Sequence, residues 1–266
     1  MLIFENYVSK FKKEIKNENF DSIEEFDIYN NKMFETALRL GYKDAQRTFT
    51  NINKLVWEKH NDSKDKFFDS FSEEIQKIFI KKESNFSPKI LFDKFTEFFQ
   101  KYGYTVTYGQ AQKVINMTFK YLYCLDDKKQ YKEDIFDKCH MPLDSFTLAW
   151  YKRNILKKTD AKDYQIKSED SWSKLEKEKY THIQELIKKR VKEGLKIKIN
   201  GSNIPLPEIP LDAEFVIWQE EIMNQAVTNF NKTVYKSLNK KYSKKDDYRE
   251  MLKDTEEYIN QLRRGL

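Results

Sequence analysis

The chain has 266 residues, with 49 Lys or Arg against 43 Asp or Glu and a formal net charge of +6. That length suits one large domain or two small ones with ample core, and the mild basic excess permits nucleic-acid binding without requiring it. The chain carries 20 Phe, 16 Tyr and 4 Trp but only 6 Gly and 5 Pro, which argues against an array of short strands and for helices.

Residues 3–17 fit a lysine-rich amphipathic helix with Phe4, Tyr7, Val8, Phe11 and Ile15 on one face. A second helix is expected over 21–40, stopped by Gly41, and a third over 44–60 behind a cap at Asp44. Two more are expected at 63–82 and 88–101, ending near Gly103. Residues 110–124 (Val114, Ile115, Met117, Phe119, Tyr121, Leu122, Tyr123) are apolar almost all round, the pattern of a central buried helix, with Lys113 in its first turn. The charged stretch 126–134 reads as a surface excursion, and 145–157 as the helix after Asp144. Ser173-Lys174-Leu175-Glu176 matches a capping box that opens a helix to Gly194. Lys196-Ile197-Lys198-Ile199, Asn200-Gly201 and Ile204 form a two-residue hairpin signal within 195–206, ended by Pro205, Pro207 and Pro210. Helices over 212–238 and about 245–263 complete the chain. The expected fold is all-α: two helical lobes around a cleft, with one small β-hairpin, in a single domain whose residues 100–157 carry the informative motifs.

Two cysteines, Cys124 and Cys139, make no disulfide framework and suit a reducing compartment, and they are too few for an iron–sulfur cluster. Cys124, Cys139 and His140 match no structural zinc spacing. His60, His140 and His182 lack a partner serine or cysteine in a nucleophile turn, and no phosphate loop or dinucleotide fingerprint appears. Met1-Leu2-Ile3-Phe4-Glu5-Asn6 lacks the plan of a signal peptide, and no apolar run approaches a membrane span. The expectation is a soluble, cytoplasmic protein with no metal, no cofactor and no membrane partner.

Two segments carry chemistry. Tyr108-Gly109-Gln110-Ala111-Gln112-Lys113 is a small-residue turn that delivers a lysine onto the apolar helix. Small residues there let backbone N–H groups approach a phosphate at a helix N-terminus. A lysine at the start of a buried helix loses hydration, and the positive end of the helix dipole acts the same way, so its pKa is expected to fall and its lone pair to be freed. Met141-Pro142-Leu143-Asp144 then opens the next helix, 31 positions after the lysine. Asp144 can cap that helix with one oxygen and accept a proton from Lys113, or face developing positive charge, with the other. The plainer readings are a snorkelling lysine and an ordinary helix entry. The second segment has an echo in Ile209-Pro210-Leu211-Asp212, and each aspartate has a Trp six residues on, Trp150 and Trp218. Pro followed by Asp is an efficient helix entry, which suffices to explain the echo.

The ordered pair of motifs resembles the helix-hairpin-helix superfamily of DNA glycosylases with lyase activity, the 8-oxoguanine glycosylases in particular. Gly109 takes the place of the family's first hairpin glycine, Ala111 the second and Lys113 the lysine. Met141-Pro142-Leu143-Asp144 resembles its aspartate motif, and the lysine–aspartate spacing is closest to the archaeal 8-oxoguanine type. The resemblance implies that Lys113 is the nucleophile, Asp144 the proton manager and residues Gly109, Gln110, Ala111 and Gln112 the phosphate-contacting turn. It implies a protein that flips one nucleotide out of double-stranded DNA and excises a damaged or modified base; a monomer is the expectation, with a dimer left open. Oxidised guanine is the expected base; a bulky modified base, as some phage genomes carry, fits equally, so that repair and defence both stay open. Trp150, Trp172 and Trp218 are candidates for the base pocket, and Asp212 or Gln219 for reading a base edge. Two rival readings stand beside this one: a non-catalytic nucleic-acid-binding module and a helical protein–protein interaction protein.

Overall fold

The computed structural model describes residues 2–19, 26–50, 52, 56–59, 63–82, 86–126, 128, 130–156, 171–199, 202–239, 253 and 256–257. The described helices are α1 (Leu2–Asn19), α2 (Asn31–Ala45), α3 (Ser63–Lys81), α4 (Pro88–Gln100), α5 (Tyr108–Leu125), α6 (Ser145–Asn154), α7 (Lys177–Lys192) and α8 (Pro210–Asn239). Strands β1 (Lys196–Ile199) and β2 (Ser202–Pro205) form the small antiparallel hairpin, in which Ile197 faces Ile204. Its two turn residues, 200 and 201, lie outside the described residues. The described residues are thus mostly helical with one hairpin, as the composition and patterning predict. No helix among the described residues is long and apolar enough to cross a membrane.

Local sequence explains four of the helix ends. Pro88 sits at the first turn of α4, where its missing N–H costs nothing. Thr107 and Gln110 close a capping box on α5, and Asp144 and Thr147 close another on α6. Gly194, at a φ of 74°, follows α7 in the left-handed conformation that glycine adopts without strain.

Helix α5 is buried at every position from Tyr108 to Leu125. Helix α2 packs along it most extensively, with α4, α1 and α7 also against it, while α6 pairs with α8. The buried apolar side chains of all these helices join in one continuous cluster. The two expected lobes therefore share a single core, with α5 at its centre, rather than each burying its own.

Several boundaries differ from the sequence expectation. Helix α2 runs through Gly41 instead of stopping there. A Cβ at Gly41 would stand 2.5 Å from the Val114 carbonyl oxygen, so the glycine permits close packing of α2 on α5 rather than ending the helix. Asp44 accordingly lies in the last turn of α2, followed by a 3₁₀ turn at Gln46–Thr48, and much of the helix expected to 60 lies outside the described residues. The segment 126–134 is no plain surface excursion. Asp126 is buried and accepts the backbone N–H groups of Gln130 and Tyr131, and the Tyr131 ring packs on Phe26 and Phe79. Ser173 sits in a 3₁₀ turn, Trp172–Lys174, and α7 opens only at Lys177. The last expected helix, 245–263, lies outside the described residues apart from 253, 256 and 257, which are helical.

Candidate active site

Lys113 and Asp144 meet. Lys113 Nζ lies 3.0 Å from Asp144 Oδ2, and the two side chains retain only 7% and 11% of their exposure. Asp144 divides its oxygens between two tasks: Oδ1 accepts the N–H groups of Phe146 and Thr147 at the start of α6, and Oδ2 accepts from Lys113. The helix cap thus fixes the carboxylate's orientation, and the second oxygen is left to face the lysine.

The juxtaposition is enforced by two buried glutamines. Gln112 Nε2 donates to the Leu143 carbonyl at 2.9 Å, and Gln112 Oε1 accepts the Leu143 N–H at 3.2 Å. Gln184 of α7 does the same at Met141, donating to its carbonyl at 2.7 Å and accepting its N–H at 3.2 Å. Each amide satisfies both backbone groups of one residue, so the extended segment before Asp144 is held against α5 and α7 with its polar groups paired. Asn116 Nδ2 donates to Gln112 Oε1 and to Tyr180 Oη, which stands 2.8 Å from His140 Nδ1. Burial brings the His140 pKa down to about 3, so the imidazole is neutral, and the direction of its hydrogen bond with Tyr180 Oη follows its tautomer.

The electrostatics differ from the expectation of a depressed lysine. Burial opposes the Lys113 charge, but Asp144, Glu214 and Asp44 outweigh it and the pKa is raised. Helix α5 begins at Tyr108, so Lys113 stands in its second turn, where the dipole acts more weakly. Burial pushes the Asp144 carboxyl up, but Lys113, the Thr147 N–H and Lys120 pull it below the usual range. The resting pair is therefore ammonium and carboxylate.

A second buried pair adjoins it. Lys120 and Glu214 form an ion pair with almost no exposure, and Lys120 Nζ sits 4.1 Å, 4.7 Å and 5.2 Å from the ring centres of Phe11, Phe215 and Trp218. Burial raises the Glu214 pKa against the pull of Lys120 and Lys113. Asp44 accepts from Tyr121 Oη at 2.7 Å, and its carboxyl is raised by desolvation against Tyr121, Lys113 and Lys120. The sequence reading did not single out Lys120, Glu214, Asp44, Gln184, Asn116 or Tyr180 for this site. A charged residue flanked by apolar ones within a helix, as Lys120 is between Phe119 and Tyr121 and Glu214 between Ala213 and Phe215, was the available signal.

Residues 109–112 do not form an open phosphate cradle. The Gly109 N–H donates to the Leu175 carbonyl, Gln110 N–H to Thr107 Oγ1 and Ala111 N–H to the Thr107 carbonyl. A Cβ at Gly109 would stand 2.0 Å from the Trp172 carbonyl oxygen, so the glycine admits the 172–175 segment across the turn, and Gln112 serves Leu143. The tryptophans also separate. Trp150 is fully buried in the core, Trp172 is half-buried in the 3₁₀ turn over Gly109, and Trp218 is half-buried against Phe146 and Lys120. Of the three, Trp218 belongs to the charged cluster around Lys113. Gln219 is half-buried beside it in α8.

Asp212 is elsewhere. It pairs with Lys132 at 3.3 Å. Burial and then the Asp212 charge raise the pKa of Tyr123, which is ten residues beyond Lys113 on α5, about 15 Å along the helix axis. Asp212 lines a cavity of about 840 Å³ beside the hairpin, with Phe4, Asp137, Leu206 and Val216. That separation removes Asp212 from a base pocket at Lys113. No group of three or more potential metal-ligating side chains stands together among the described residues.

No protein-family model, no curated protein and no solved structure matches the chain.

Proposed function

We propose that the protein is a DNA glycosylase with lyase chemistry, acting on a damaged or modified base in duplex DNA. The observation that carries the reading is the buried Lys113–Asp144 contact at 3.0 Å, held by paired backbone groups on both sides. A structural ion pair needs no such alignment of a carboxylate whose other oxygen is already spent on a helix cap. In the proposed reaction the C1′–N bond of the flipped nucleotide breaks, and its electron pair leaves with the base, which is protonated. Asp144 Oδ2 faces the positive charge that develops on the sugar. Lys113 passes one proton to Asp144, which hands it to the departing base, and the freed amine bonds to C1′; the nitrogen then gives a second proton to Asp144, which delivers it to O4′ as the C1′–O4′ bond breaks. The ring then opens to an imine, which makes elimination of the 3′-phosphate facile. Trp218 and Phe146, half-buried and edge to face at 6.1 Å, are the aromatic pair placed to contact the extruded base.

Base release from duplexes that each carry one altered base tests this. Lys113→Ala and Asp144→Asn are expected to abolish it on the preferred duplex; full activity in both would remove the assignment. A second reading has its own observation. The N–H groups at the start of α5 are committed to protein partners, as a non-catalytic helical protein would have them. That reading predicts neither base release nor a covalent adduct.

A further inference from the structure

A cavity of about 420 Å³ lies at the end of α2, lined by Arg39, Lys43, Gln46 and Arg47 with Lys64 of α3, over a floor that includes Tyr42, Phe49 and Phe68. Four of its nine lining residues are basic and none is acidic, in a chain whose acids nearly equal its bases. Arg39 is held in place by Glu35 at 2.7 Å and Asp65 at 2.8 Å and lies 4.3 Å over the Phe68 ring. Its charge is thereby offset, whereas Arg47 and Lys64 stand exposed at the cavity. The aromatic floor keeps water from one side and strengthens the field of the cations above it.

The cavity is tied to Lys113. Gln110 Nε2 donates to the Thr48 carbonyl, which joins the turn carrying Arg47 to the start of α5. Gln110 and Lys113 are three residues apart and share a face of that helix. The last turn of α2 also carries Asp44, which accepts from Tyr121 of α5 and is one of the charges acting on Lys113, while Lys43, Gln46 and Arg47 line the cavity. Since the N–H groups of residues 109–111 are occupied, backbone phosphate must be gripped elsewhere, and this cavity is a basic surface joined to the lysine's helix through Gln110.

We propose that the cavity binds a DNA backbone phosphodiester flanking the nucleotide presented to Lys113, with Arg47 and Lys64 as its principal cations. The proposal rests on the DNA reading above. Binding of the whole protein to a duplex with a stable abasic analogue, measured by fluorescence anisotropy across a salt series, tests it. Each phosphate neutralised contributes about one unit to the slope of log affinity against log salt, so Arg47→Ala/Lys64→Ala, which frees the one phosphodiester, is expected to lower the slope by about one. Between 50 and 200 mM salt the wild type then loses roughly three- to fourfold more affinity than the variant. Lys188→Ala/Lys189→Ala, which removes the same charge from the exposed side of α7, is expected to leave the slope unchanged. An unaltered slope in the Arg47/Lys64 variant, or an equal drop in the α7 control, overturns the assignment while leaving the DNA reading intact. No duplex binding by the wild type at any salt overturns both.

Discussion

Replacing Asp144 by Asn separates the ion pair from the helix cap. Asparagine caps a helix about as well as aspartate, so the bonds to Phe146 and Thr147 persist. The anion facing Lys113 is lost, and an ammonium with 7% exposure is left before an amide. Removing one member of a buried pair costs roughly 3–5 kcal/mol. Glu214 and Asp44 still face Lys113, which places the cost near the lower end, about 3 kcal/mol. In a chain of this size that lowers Tm by roughly 6–12 °C. Asp144→Ala forfeits the cap as well and is expected to cost about 1 kcal/mol more. The double variant Lys113→Met/Asp144→Asn removes both charges and is expected to cost less than the sum of the two single changes. Urea unfolding at pH 7 measures all four. The pH dependence follows from the directions of the two shifts. The lowered Asp144 pKa gives stability that is present above the unfolded carboxyl value and lost as pH falls through the folded one. The raised Lys113 pKa gives stability present below the unfolded amine value and lost as pH rises through the folded one. The coupling is therefore flat from about pH 5 to 10. An Asp144→Asn protein within about 0.5 kcal/mol of wild type, or strictly additive single changes, would refute the reasoning.

Gly109→Ala gains about 1 kcal/mol of helix propensity but drives a Cβ into the Trp172 carbonyl; a net loss of at least about 2 kcal/mol is expected in urea unfolding, and a neutral result contradicts the packing. His140 prefers its neutral form in the fold, with a pKa of about 3, so stability is full above the unfolded value near 6.5 and falls as the pH drops below it. Between pH 7 and 5 that loss amounts to about 2 kcal/mol, and His140→Gln, whose amide can donate to or accept from Tyr180, is expected to abolish it. Glu214 is one of the charges that raise the Lys113 pKa, so Glu214→Gln is expected to move the ascending limb of the pH–rate profile of base release to lower pH. An unshifted limb would detach Glu214 from the site.

What the sequence disclosed and what it hid divide along the range of the interactions. Helix α5 was legible because its apolar residues surround the axis, and the starts of α4 and α6 because Pro88 and Asp144 act locally. The hairpin was legible from the alternation of Lys196 to Ile199. The meeting of Lys113 with Asp144 followed from motif order alone. Hidden features depend on partners far along the chain. Gly41 reads as a helix stop, and only the approach of Val114 turns it into a packing glycine. Ser173 reads as a cap, but its carbonyl is taken by Thr107 Oγ1, so the turn serves α5 rather than opening α7. Gln112 and Gln184 carry no local signal, because their amides act on backbone 31 and 43 positions away. The Lys113 pKa was misjudged in direction, since burial was read from the sequence but the three carboxylates around the amine were not.

The central claim is that Lys113 forms a covalent bond to C1′ of an extruded nucleotide. Borohydride trapping on duplexes carrying single altered bases, with an abasic site among them, tests it most directly. The account predicts a protein–DNA adduct on one preferred duplex, retained by Lys120→Arg and lost in Lys113→Ala. An adduct that survives Lys113→Ala, or none on any duplex including the abasic one, would contradict it.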